Sequence, residues 1–140
     1  MKSKAPLTLM EQLTMILVFA LAAAVCLRLF ILANAVSAKV AAQEQAVLTV
    51  QNTAECLKLT RGDFDQLVFL CGGERTESGW RNGYNENGET TSWEKAFYTV
   101  EAAAAEDQIP LLGSARIVSS DQNGKPLFQI DVSWQEESDE

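Results

Sequence analysis

The chain opens with a long apolar block. From Leu13 to Val36 it reads LTMILVFALAAAVCLRLFILANAV, interrupted only by Thr14, Arg28 and Asn34. Wound as a helix rising about 1.5 Å per residue, this block is roughly 36 Å long, enough to cross a hydrocarbon core of about 30 Å with some tilt. The pattern predicts a transmembrane helix over residues 13–36, after a leader-like segment 1–12. Neither Gly nor Pro occurs from Leu7 to Arg61. Beyond the apolar block, Val40, Val47, Val50, Ala54 and Leu57 recur at steps of seven, three, four and three. That spacing places them on one helical stripe. The expectation is a single long helix, apolar all round in its first half and amphipathic in its second.

Arg61-Gly62 is the first break. Asp63 is a good N-cap for a short helix from Phe64 to Cys71, with Gly72-Gly73 to end it. From Gly79 the pattern changes to period two. Gly79–Tyr84 and Ala96–Ala102 read as strands around a loop containing Asn87-Gly88. In the second of these, Ala96, Tyr98, Val100 and Ala102 share a face. Ala103–Ile109 reads as a connection. Gly113–Ser119 and Leu127–Trp134 form a second hairpin through Asp121-Gln122-Asn123-Gly124, with Phe128, Ile130, Val132 and Trp134 on one face. The predicted fold class is α+β: a long N-terminal helix whose amphipathic half packs on a small antiparallel sheet, with residues 37–140 as the folded domain.

Charge sharpens the division. Residues 1–40 carry a net +3, with Glu11 their only acid, whereas residues 41–140 carry −11. So acidic a domain repels nucleic acid, and no nucleic-acid partner is expected for it. The apolar block makes membrane lipid the expected partner. Lys2 and Lys4 favour a cytoplasmic N-terminus with the domain extracytoplasmic, although Arg28 and Lys39 sit on the far side. Arg28 is close enough to the far interface to snorkel. A cleaved signal peptide, with Ala33-Asn34-Ala35 as the cleavage site, is the alternative to a retained anchor.

The chain contains no His, so the commonest general base is absent. No Gly-rich phosphate loop follows a strand, and the carboxylates are scattered. No enzyme activity, catalytic residue, cofactor or metal is expected. Asn85, Asn87, Gly88 and Glu94 match part of a calcium-loop spacing, but Gly83 stands where the first carboxylate belongs, and a hairpin turn accounts for the same residues. Arg61-Gly62-Asp63 matches an adhesion tripeptide that a helix stop and cap explain equally well. Trp80, Trp93 and Trp134 read as packing residues or as an aromatic binding surface. Cys56 and Cys71 are either a disulfide in an oxidising compartment or two separate thiols.

The segment Leu7-Thr8-Leu9-Met10-Glu11-Gln12-Leu13 resembles the start of a type IV pilin or pseudopilin. There an apolar residue, Thr, Leu, an aliphatic residue and Glu open the mature chain after a short basic leader. The resemblance implies a long helix on a small antiparallel sheet. It also implies that Leu7 is the processed terminus and that Glu11 pairs with the amino terminus of a neighbouring subunit to set register. In this chain Pro6, rather than Gly, precedes Leu7. Independently of the resemblance, Glu11 also reads as an interfacial acid favoured by the helix dipole. The expected function is structural: a minor subunit of a pilus-like, secretion- or competence-associated filament, partnered by other pilin-like subunits. The alternative is a membrane-tethered extracytoplasmic binding domain that does not polymerise.

Overall fold

The protein is described by a computed structural model covering residues 4–106 and 109–136. Lys2, the acidic tail beyond Glu136 and residues 107–108 of the expected connection lie outside the described residues. The chain divides into two compact units, residues 1–40 and 41–140. One helix, α1 (Ala5–Leu59), contributes to both. Its 55 residues run without a break, as expected of a stretch with no Gly or Pro beyond the first turn. Pro6 is tolerated there because the first-turn N–H groups have no intrahelical acceptor. The helix begins ahead of residue 13, so residues 5–12 are helical too.

In the first unit every described residue is exposed. Leu13, Ile16, Phe19, Phe30 and Ile31 project from all sides of the helix. Two hydroxyls are satisfied within the helix itself: Thr8 Oγ1 donates to Lys4 O at 3.1 Å and Thr14 Oγ1 to Met10 O at 2.8 Å. The helix is long and apolar enough to cross a bilayer.

The second unit is a helix-on-sheet sandwich. The end of α1 buries Ala46, Thr49, Val50, Thr53, Ala54 and Leu57. Val50, Ala54 and Leu57 are stripe positions predicted from the sequence; Val47 is half-buried and Val40 exposed. Thr49 and Thr53 take interior places because each hydroxyl donates to the carbonyl four residues back, Gln45 O at 2.9 Å and Thr49 O at 2.8 Å. A threonine satisfied this way buries much as a valine does.

The helix stops where Arg61 and Gly62 both adopt positive φ, 51° and 80°. Asp63 then caps α2 (Phe64–Cys71), its carboxylate accepting from the N–H groups of Asp65 at 3.0 Å and Gln66 at 3.2 Å. Both the cap and the helix bounds agree with the sequence reading.

Six strands follow: β1 (Glu74–Arg75), β2 (Gly79–Tyr84), β3 (Thr90–Thr91), β4 (Tyr98–Ala104), β5 (Leu112–Asp121) and β6 (Pro126–Gln135). All pairings are antiparallel, in the order β1-β2-β4-β5-β6, with β3 also paired to β2. The inner face is set by register. Trp80, Ala102, Ile117 and Ile130 align in one row, and Asn82, Val100, Ser119 and Phe128 in the next.

One connection differs from expectation. The Asn87-Gly88 loop does not lead directly into the second long strand. It turns the chain into β3, a 3-10 turn (Trp93–Lys95) follows, and only then does β4 begin. The Phe97 N–H donates to Tyr84 O at 2.8 Å and returns the chain to the sheet. Strand β4 both begins and ends two residues later than read from the sequence: Ala96 and Phe97 lie before it, and Ala103 and Ala104 join it by pairing with Arg116 and Ala115.

Candidate functional site

Glu11 lies two turns into α1 and is exposed. Leu7 precedes it by four residues, and Met15, Val18 and Ala22 follow it by four, seven and eleven, so all share its side of the helix. Thr14, Met15, Val18, Phe19 and Ala22 lie beside Glu11 on this exposed, mostly apolar side of the helix. Leu7 is 77% exposed and Phe19 equally so. A single carboxylate therefore stands at the head of an apolar helix face. In lipid or against other helices such a group calls for a cationic or hydrogen-bonding partner. Cys26, further along, is exposed.

In the second unit polar contacts tie the helix to the sheet. Thr49 Oγ1 and the Tyr98 hydroxyl are 2.8 Å apart and buried. The Tyr98 ring stacks on Tyr84, with centroids 5.3 Å apart and planes inclined by 13°. Burial pushes the Tyr84 hydroxyl up to about 12, against weaker lowering by Asn82 and Thr53; it also raises Tyr98, against Thr49. Both phenols stay neutral and act as hydrogen-bonding wedges between α1 and the sheet.

Cys56 and Cys71 lie side by side among groups packed on the same core. Both are thiols and half-buried. Burial, with the neighbouring Cys56 adding to it, pushes the Cys71 thiol up to about 12.

The three tryptophans take different positions. Trp80 is buried, and its indole N–H donates to Gly72 O at 2.7 Å. Trp93 lies under the Arg81 guanidinium, 4.8 Å from ring centroid to Cζ, while Arg81 also pairs with Glu74 at 3.1 Å. The Trp134 ring fills the space that Cβ atoms on Gly62 and Gly113 would occupy. That contact was invisible in the sequence; two glycines far apart in the chain give no signal that one indole needs both. Among the described residues, Trp134 Nε1 and Ser119 Oγ are buried without a hydrogen-bond partner.

The calcium-like segment is a turn. Asn85 Oδ1 accepts from the N–H groups of Asn87 at 3.0 Å and Glu89 at 2.9 Å, and Glu94 belongs to the following 3-10 turn. Arg61-Gly62-Asp63 likewise forms the helix stop and cap.

Comparison with family models, curated proteins and solved structures finds no match for this chain. What is established is the architecture: an α+β chain with one long N-terminal helix, apolar enough to span a bilayer, and a six-stranded antiparallel sheet.

Proposed function

We propose that the protein is a structural subunit of a membrane-rooted filament, of the minor pilin or pseudopilin kind. The observation that carries this reading is α1 itself. Residues 5–40 of the helix expose an apolar surface with one acid, and its last third is part of the core of a small folded unit. Apolar helices left bare on all sides are covered by lipid or by each other. In this reading the folded unit is extracytoplasmic, residues 13–36 pack against neighbouring copies, and Glu11 fixes the stagger by pairing with a neighbour's amino terminus. Ala20, Ala22, Ala23 and Ala24 allow close approach of helices. The protein does no chemistry of its own.

The test is Glu11→Ala in the native membrane. Expected is loss of sedimentable, cross-linkable assemblies while the folded unit keeps its near-ultraviolet circular dichroism. N-terminal sequencing of the extracted protein should begin at Leu7. Assembly unchanged by Glu11→Ala would instead leave a membrane-tethered binding domain as the function.

A further inference from the structure

We propose that Cys56 and Cys71 form an intramolecular disulfide that staples the end of α1 to the end of α2. The proposal stands on the folded unit alone and does not depend on filament assembly. Cys71 falls on the buried side of α2: it follows Phe64 and Leu67 at spacings of seven and four, and both of those are buried. Cys56 falls on the buried side of α1, three residues after Thr53 and four before Thr60, which are 1% and 8% exposed. The chain between them reverses through the tight Arg61-Gly62 turn, closed by Gly62 N–H donating to Leu57 O at 3.1 Å and Asp63 N–H to Thr60 O at 3.1 Å.

Cys71 is also held from the other side. Its carbonyl accepts from Asn82 Nδ2 at 3.3 Å, and the next carbonyl, Gly72 O, accepts from Trp80 Nε1 at 2.7 Å. Sheet, α1 and α2 thus fix both cysteines before any bond forms. Both side chains pack against the same core cluster, and Cys56 is near enough to add to the upward push on the Cys71 thiol. A pair held in place by the fold should bridge with little of the native-state distortion that weakens engineered disulfides.

The chemistry is thiol–disulfide exchange with a small-molecule or protein disulfide. The Cys56 thiolate attacks one oxidant sulfur, forming a mixed disulfide and releasing one oxidant thiol. Cys71 then gives up its proton and attacks Cys56 Sγ, releasing the second thiol. Two cysteine thiols are oxidised to one disulfide and one oxidant disulfide is reduced to two thiols. Cys71 is cast as the resolving thiol because burial keeps it protonated, so it is a poor first nucleophile. The bridge would close a loop of about 15 residues.

The experiment uses the full chain in detergent, in a Cys26→Ala background so that only two thiols remain. After equilibration with glutathione disulfide, tryptic digestion without reductant should yield one linked species joining Val40–Lys58 to Gly62–Arg75. Reduction should release both peptides and lower the thermal midpoint by roughly 10–20 °C, given the stabilisation expected for a loop of this size. Adding Cys56→Ala and Cys71→Ala should make that midpoint indifferent to reductant. The proposal is overturned if both cysteines remain open to maleimide after oxidation, if the bridge joins two chains, or if reduction leaves the midpoint unchanged.

Discussion

The hydroxyls of Thr49 and Tyr98 meet at 2.8 Å inside the folded unit, joining the helix to the centre of the sheet. Thr49 also donates to Gln45 O, so the Tyr98 hydroxyl is left to donate to Thr49. Removing the Thr49 hydroxyl takes the acceptor away from the buried Tyr98 hydroxyl, whereas Thr49 keeps its bond to Gln45 O when Tyr98 is cut back to Phe. Thr49→Val should therefore cost about 1–3 kcal/mol, and Tyr98→Phe less, about 1 kcal/mol. The double variant should cost clearly less than their sum, because it leaves no orphan group. Chemical denaturation of all four forms measures the coupling; strict additivity would refute it.

The glycines under Trp134 provide a second test. Gly113→Ala drives a methyl group into the indole and should destabilise by about 1–3 kcal/mol. Gly62→Ala should cost more, since its φ of +80° adds backbone strain to the same collision. Trimming the ring with Trp134→Leu should relieve most of the penalty at Gly113 and only part of it at Gly62. Equal relief at both sites would show that backbone conformation contributes nothing at Gly62.

Alkaline pH should loosen the reduced protein. Tyr84 is moved from 10.0 to about 12 and Cys71 from 9.0 to about 12, in each case chiefly by burial. The unfolded chain therefore releases these protons at lower pH than the folded one, and the folded state loses stability as pH rises. The thermal midpoint should be level up to about pH 9 and fall from there toward pH 12. Tyr84→Phe should flatten the upper part of that fall. A midpoint constant to pH 11 in reductant would contradict the assignment.

Asp63 should matter out of proportion to its exposure. Its carboxylate satisfies two of the free N–H groups opening α2. Asp63→Ala should cost about 1 kcal/mol, and Asp63→Ser much less. If the two variants denature alike, the cap is not the source of the effect.

Local rules written in consecutive residues were legible. Asp63 as cap, Gly62 and Gly124 in left-handed turns, the alternation in β4 and β6 and the unbroken helix to Leu59 all rest on short-range sterics and hydrogen bonding. What escaped needed distant residues together. Thr49 and Thr53 look polar in a periodicity count, but their back-bonded hydroxyls let them stand in the stripe where Val47 was expected to be deeper. The small strand β3 has only two residues, too few for alternation to register. As for Glu11, the sequence showed an isolated acid; which apolar residues share its side of the helix came from the helix geometry.

The two partnerless interior atoms, Ser119 Oγ and Trp134 Nε1, both belong to the β5–β6 half of the sheet. Phe128, Ile130 and Trp134 on β6 are only half-covered, and β6 is an edge strand with no neighbour beyond it among the described residues. Cohesion is therefore graded from one margin to the other. Amide protons of β6 should trade with solvent deuterium well ahead of those on β2 and β4, so that the unit unzips from its last strand while the cluster around Tyr98 is still closed.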